Sequence, residues 1–380
     1  MLKNCCKKNS VKCFPKSKLR FNKNLVKCLK VVGLDLFPDE VKTRRQKIIK
    51  FLQWFYFWFF FANLCAIIVS VFISTFDEWN FKSVNKNLPA LTNLPYILFK
   101  ITMTYKHRGD IGMLLKTLDK KLISIHWHQE RRIYYKVVCI CNRFHAGYKI
   151  IEGTMIVIGS VAFLLIHGTK RLAFSAWIPF SYTDWRVFAS LHAWIFWTIL
   201  NVLLISYAMN GLMFAAITII AKHFDVLKAE VESFGEQSTM DDIMKFIEKH
   251  NEALELVEML RKIYSSTFRF NFVQSLIILC CAVSQLLLSY FSVKHAFFLA
   301  PVIFASMQTF MNIYLSRRIN DACSGISDGA YNCEWHSFKD NKMRNLILLI
   351  MMRSEKAKIL KIIDFGEFIY DSFSSVSKYL

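Results

Sequence analysis

The chain has 380 residues, of which 54% are hydrophobic and 35 are Phe, with a mean hydropathy of +0.31 and a net charge of +21. That is too apolar for an ordinary soluble domain of this size and points to a polytopic helical membrane protein. The charge does not mark a nucleic-acid binder: fifteen of the 49 Lys and Arg lie in the first 50 residues, directly before a hydrophobic span, where a basic flank meets anionic lipid, and nothing resembles a nucleic-acid module.

Residues 1–50 are therefore expected to be a basic cytoplasmic N-terminus, without the apolar core of a cleavable signal peptide. The eleven Cys show no disulfide framework, and reduced thiols are the expectation. Cys5 and Cys6 beside Lys7 and Lys8 offer a place for acylation.

The first span is the uncharged run 51–76, 26 residues where a bilayer needs about 20. A second, around 87–105, is interrupted by Pro89 and Pro95 and carries Lys100, which is expected to snorkel to the interface. The third covers about 136–168. The fourth has no charge from 187 to 221, 35 residues, and must tilt strongly or continue outside the membrane. The fifth and sixth, about 270–293 and 296–316, are separated by little more than Lys294 and His295 and form an antiparallel pair.

Flanking charge orients the chain. The N-terminus carries fifteen Lys and Arg, residues 106–136 carry eight and residues 222–262 carry six, whereas the alternate loops carry only Lys82 and Lys86, then Lys170, Arg171 and Arg186, then Lys294. The positive-inside rule places the N-terminus in the cytoplasm. Apolar residues at helical spacing in 224–267 and a short apolar helix at 343–352 predict a cytoplasmic helical bundle with the long fourth helix, a natural place for subunits to associate.

Residues 359–380 form the last apolar stretch. Wound as a helix, they place Asp364, Glu367, Asp371, Ser374, Ser375 and Lys378 within roughly a third of the circumference. Such a stripe is what a water-lined cation path needs, built from several copies around an axis. An amphipathic helix lying on the membrane or packing on a soluble domain has the same pattern. The expected fold class is all-α, a polytopic membrane protein with seven transmembrane helices. Its domains are the N-terminus 1–50, spans one to four in 51–221, the cytoplasmic helical connection 222–267, spans five and six in 268–318, a cytoplasmic loop and short helix in 319–358, and a terminal pore-type helix in 359–380.

Tyr331 and Trp335 stand four apart, followed by an apolar run, Met351-Met352-Arg353-Ser354-Glu355-Lys356, and Phe373. This resembles the C-terminal signature of the insect odorant receptor family. Gly33-Leu34-Asp35, Trp177-Ile178-Pro179-Phe180 and His250 support the resemblance. It implies an odorant-gated nonselective cation channel at the plasma membrane, formed as a heterotetramer with a shared co-receptor subunit. It also implies an odorant pocket in the outer half of the first six helices and a pore along the last. The compact connection 222–267 lacks the co-receptor's long insertion and implies a tuning subunit. Two departures stand out: Ala357 replaces the family's usual Pro, and the chain stops at Leu380, before the family's Ser-Tyr-Ser segment. The second departure predicts either a truncated product or an outer gate supplied by partner subunits.

A pocket for a small volatile ligand needs apolar walls and one or two orienting polar groups. The outer halves of the spans offer Tyr96, Thr154, Ile158, Phe163, His167, His192, Trp197, Gln285 and Tyr290 as candidates, each of which could instead be ordinary helix packing. No cofactor is expected. His126-Trp127-His128 has no further ligand beside it in sequence and is read as an interfacial segment, not a metal site. With no nucleotide loop, nucleophile elbow or paired catalytic motif, no enzymatic activity is expected. The competing readings are a seven-helix receptor coupled to a G protein, which the cytoplasmic N-terminus disfavours, and a transporter, which would carry charge inside the spans.

Overall fold

The computed structural model describes residues 23–37, 43–77, 81–124, 139–143, 146–147, 150, 177–180, 184–288 and 296–356. We number the main helices among these α1 (Lys23–Val31), α2 (Arg44–Asp77), α3 (Phe81–Lys106), α4 (Arg108–Ser124), α5 (Trp185–Glu232), α6 (Met240–Leu288), α7 (Ala296–Asn332) and α8 (Asn341–Lys356), with a 3-10 turn at Trp335–Ser337. No strand occurs among the described residues.

Local sequence accounts for the helix ends. Before α2, Thr43 and Gln46 exchange backbone-to-side-chain bonds of 3.2 and 3.4 Å, a capping box that satisfies two orphan donors. Thr239 and Asp242 repeat the device at α6, with bonds of 3.0, 2.7 and 3.3 Å; those from Thr239 hold the Asp242 carboxyl below its ordinary value. Asp184 caps α5 and Asp340 caps α8 by accepting from the backbone N–H groups of Arg186 and Lys342. Gly33, at φ +90°, closes α1: its N–H reaches the Lys30 carbonyl at 3.1 Å, and the Leu34 N–H reaches Leu29 at 2.9 Å.

The span boundaries expected from hydropathy are not helix boundaries. α5 is one helix of 48 residues, about 72 Å long, and α6 has 49 residues. The expected connection at 222–267 is thus made from the end of α5, the turn at 233–239 and the first half of α6. Likewise α7 continues to Asn332, well beyond the predicted end of the sixth span. α3 runs unbroken through Pro89 and Pro95.

α5 is the central element. It packs most extensively against α7 and also meets α6, α1, α3, α4 and α2. Among the described residues only α2 and α5 are long and apolar enough to cross a membrane by length and composition, α2 mostly exposed and α5 mostly buried. The exposed face of α2 presents Phe51, Trp54, Phe55, Phe59, Phe72 and Phe76, a surface suited to lipid. The segment 177–180 is tied to α2: the Trp177 N–H donates to the Ser70 carbonyl at 3.0 Å, and the Ser70 hydroxyl donates back to the Trp177 carbonyl.

Beyond the apolar spans, charges join the helix extensions. Asp225 accepts from Lys222 at 2.8 Å and from Arg318 on α7 at 2.5 Å; Glu230 accepts from Lys249 at 2.6 Å. Asp110 on α4 lies 3.0 Å from Lys262 and 3.1 Å from His107, contacts that hold its carboxyl below the ordinary value. Gly329 lets α7 approach α5 closely, since a Cβ there would lie 3.0 Å from Val231 Cγ1 and 3.1 Å from the Lys228 carbonyl.

Candidate functional site

The helices α3, α6 and α7 are apolar but not uniformly so. On α3, Asn93, Tyr96, Lys100 and Thr104 recur three or four residues apart, which puts them on one face. Thr267, Asn271 and Gln274 do the same on α6, and Gln308, Asn312 and Ser316 on α7. In hydrocarbon an unpaired polar group costs several kcal/mol, so such faces turn toward one another.

They meet in a polar node. The Lys100 ammonium is buried, donates to Asn210 Oδ1 on α5 at 2.6 Å and sits 5.9 Å from the centre of the Tyr96 ring. The Tyr96 hydroxyl accepts from Gln308 Nε2 at 3.2 Å and also hydrogen-bonds with Asn271. Asn312 Nδ2 donates to Asn271 Oδ1 at 2.8 Å, and Thr309 and Ser275 bond at 2.5 Å. Gln274 Nε2 donates to Asn93 Oδ1. A cavity of about 10 Å³ beside Lys100, Asn210, Thr267 and Asn312 has room for about one water molecule. The node therefore joins α3, α5, α6 and α7 through directed bonds, and a shift of α3 must exchange or break bonds made to the other three.

The predicted snorkelling of Lys100 is corrected here: the side chain is buried in the bundle, where Asn210 on α5 supplies an acceptor. Of the predicted ligand contacts, Tyr96 lies at the centre of the node. Trp197 belongs to a separate aromatic cluster, edge-on to Tyr56 at 5.9 Å and to Phe60 at 6.3 Å, and Tyr56 in turn donates to Asn201 at 2.7 Å. His192 lies half-buried two turns into α5, with its ring 5.5 Å from Phe188, and does not reach the node. Gln285 is in the last turn of α6. Thr154, Ile158, Phe163, His167 and Tyr290 lie outside the described residues, as do Asp364, Glu367, Asp371, Phe373, Ser374, Ser375 and Lys378.

The C-terminal motif residues lie in and around the extra-span bundle. Tyr331 is exposed, Trp335 sits in the 3-10 turn against the core, Arg353 is exposed, and Ser354 is buried with its hydroxyl donating to the Ile350 carbonyl at 2.8 Å. His250 is buried between the rings of Phe224 and Phe246, 6.2 and 6.0 Å away. Burial, aided by the charge of Arg353, pushes its imidazole down to about 4 and keeps it neutral. Among the described residues no cluster of His, Cys, Asp or Glu could hold a metal ion.

The profile of the 7tm Odorant receptor family matches residues 80–379. The chain belongs to the 7tm odorant receptor family. It is 26% identical over 254 residues to odorant receptor 22a of Drosophila melanogaster, covering 63% of this chain and 61% of that relative. It is 24% identical over 275 residues to odorant receptor 22b of the same fly, covering 68% and 64%. The matches thus span roughly three fifths of these relatives' length. The insect olfactory receptor OR5 from Machilis hrabei has the same fold, with a TM-score of 0.79 at 13% identity over 90% of both chains. Its complex with eugenol gives 0.71 at 14% identity, again over 90% of both chains. The all-α architecture expected from hydropathy is the odorant receptor fold, and membership implies a membrane protein of the receptor class.

Residues that sequence reasoning missed are Asn210, Asn271, Gln274, Gln308 and Asn312, together with the inward role of Lys100. The available signal was the repeat of polar residues three or four apart inside otherwise apolar helices.

Proposed function

We propose that the chain is the ligand-tuning subunit of an odorant-gated, nonselective cation channel, assembled with a co-receptor subunit as a heterotetramer in the plasma membrane. The observation that carries this reading is the odorant receptor family match across residues 80–379. The ligand is a small volatile molecule, a class consistent with the eugenol bound by the Machilis hrabei relative. The N-terminus and the helix extensions of α5, α6 and α7 with α8 lie in the cytoplasm, as the flanking charges favour. Exposed Tyr331, Leu348, Leu349 and Met352 give that bundle an apolar surface suited to a neighbouring subunit. The pore follows the stripe of Asp364, Glu367, Asp371, Ser374, Ser375 and Lys378. The ligand rests beside Tyr96, with Thr154, Ile158, Phe163, His167, Gln285 and Tyr290 as its further candidate contacts, while His192 and Trp197 stand apart from Tyr96 along α5. The node supports the gating part of the reading. A ligand beside Tyr96 touches the residue whose hydroxyl joins α6 and α7, and it shifts the channel only by its differential affinity for open and closed arrangements.

The test is co-expression with the co-receptor and recording of currents against a panel of volatiles. The expected result is a cation current evoked by at least one compound, absent when either subunit is omitted. Asp371→Asn and Glu367→Gln are expected to alter cation permeability ratios. Surface-expressed complexes that pass no current under any volatile, or an N-terminal epitope accessible from outside intact cells, would overturn the reading.

A further inference from the structure

The start of α2 carries an amphiphilic stripe. Arg44, Lys47, Phe51, Trp54 and Trp58 are spaced three and four residues apart, which puts them on one face of the helix, and all five are exposed. Cations occupy the N-terminal half of the stripe and rings the other half: Phe51 lies 6.1 Å from Trp54, and Trp54 lies 6.5 Å from Trp58. The ladder continues onto α3, where Tyr105 meets Trp58 at 6.0 Å, and ends in a third exposed cation, the Arg108 guanidinium 4.6 Å over the Tyr105 ring.

Helix register fixes the level of Arg108. α2 and α3 run antiparallel, and the register that bonds Asn87 to Thr75 at 3.0 Å near one end stacks Tyr105 on Phe57 at 5.2 Å near the other. The backbone stays helical across the α3–α4 junction: the His107 N–H reaches the Met103 carbonyl at 3.0 Å and the Ile111 N–H reaches His107 at 2.9 Å. Arg108 therefore falls opposite Trp54. Lys47 lies seven residues before Trp54, about 10.5 Å toward the N-terminal end of α2, and Arg44 lies beyond it. None of Arg44, Lys47 and Arg108 has a carboxylate partner among the described residues, and α2 has no acid in its first turn. Like charges three residues apart repel, so Arg44 and Lys47 call for an anion between them. The occupant must be ionic at one end and apolar at the other, the layout of a phospholipid. Trp and Tyr sit at the headgroup level of a bilayer, which puts a lipid's diester phosphate beside Trp54 and Arg108, and a guanidinium pairs well with phosphate oxygens. The acyl chains then follow Trp58 and the exposed rings of α2, and the headgroup reaches toward Lys47 and Arg44. A choline there would bring a cation to two cations, whereas a headgroup with its own anion meets opposite charge.

We propose that the corner between α2 and the α3–α4 junction is a binding site for one phospholipid whose headgroup carries an anion beyond its diester phosphate. This is narrower than the attraction of a basic flank to a membrane: Arg45, next to Arg44 but about 100° around the helix, takes no part. The bound lipid bridges α2 to α4, which Asp110 holds to α6 through Lys262 at 3.0 Å. Which leaflet supplies the lipid rests on the cytoplasmic N-terminus proposed above; the site itself does not.

The experiment uses the purified, delipidated full-length chain in detergent, with lipid complexes counted by native mass spectrometry. Phosphatidylserine and phosphatidylcholine of identical acyl chains share the diester, and only serine adds a carboxylate, so phosphatidylserine is expected to bind at least about tenfold tighter. Arg108→Gln should weaken both lipids about fivefold, and Arg108→Lys should restore most of the loss. Lys47→Gln should weaken phosphatidylserine about fivefold and leave phosphatidylcholine unchanged, and Arg45→Gln should alter neither. All these side chains are exposed, and thermal melting checks that the variants remain folded. Glycerophosphoserine, the same headgroup without acyl chains, should not displace the lipid. Equal binding of the two lipids, a loss in Arg45→Gln equal to that in Lys47→Gln, no effect of Arg108→Gln, or displacement by glycerophosphoserine would each overturn the proposal. Neither co-receptor nor current enters the measurement, so its failure leaves the channel reading standing.

Discussion

Replacing each partner of the Lys100–Asn210 bond in turn should give unequal results. Lys100 is 4% exposed, and its ammonium is 2.6 Å from Asn210 Oδ1. Lys100→Met removes a charged hydrogen bond that contributes about 1.5–3 kcal/mol. It also removes the cost of holding a charge away from water, several kcal/mol per ion, and fills the same space with an apolar chain. The two effects offset, and little net change in stability is expected. Asn210→Leu keeps the buried charge and deletes this acceptor, a loss of about 1.5–3 kcal/mol with no desolvation relieved in return. The two variants should differ by about 2 kcal/mol, which is roughly 4–8 °C in melting temperature at about 2–4 °C per kcal/mol. The double variant should return toward Lys100→Met. Thermal unfolding of the detergent-purified receptor, followed by fluorescence-detected size exclusion, measures all three. If Lys100→Met proves as damaging as Asn210→Leu, or worse, the ammonium is not buried against Asn210 and the node is wrongly drawn.

Three further outcomes are expected. Gly112→Ala gains about 1 kcal/mol of helix propensity, but its Cβ would meet the Leu36 carbonyl oxygen, a backbone atom that cannot rotate away; the overpacking cost of about 1–3 kcal/mol prevails and the melting temperature falls. Gly33→Ala adds strain at φ +90° to a clash with the Gln53 carbonyl, so it should be the more damaging of the two in the same assay. His250 is depressed from 6.5 to about 4 by burial. Above pH 6.5 neither folded nor unfolded chain protonates it; between 6.5 and 4 only the unfolded chain does, so stability falls with pH by up to about 3 kcal/mol and levels off below 4. The melting temperature of His250→Phe should decline less over that window, and an identical decline would assign the acid sensitivity to other groups.

The all-α class and the family were legible in the linear sequence because each depends on local quantities. Hydrophobic length is set by bilayer thickness, flanking charge by the cytoplasmic face, and the Tyr331, Trp335 and Arg353-Ser354 spacing by the chain itself. Helix starts such as Thr43 with Gln46 were equally local, since a cap and its partner are three residues apart. Helix ends near the membrane surface were not legible: hydropathy falls there, but a helix stops where its caps and turns are, and α5 carries on to Glu232 and its turn at 233–239. The node was hidden for a further reason. Lys100 near the end of an apolar span reads as a snorkelling side chain until α5 brings Asn210 alongside from 110 positions away. Asn271 and Asn312, 41 apart, likewise have no local reason to pair. Tertiary packing decided these contacts, because a polar side chain in an apolar helix takes whichever partner lies nearest in three dimensions, and sequence separation carries no record of that distance.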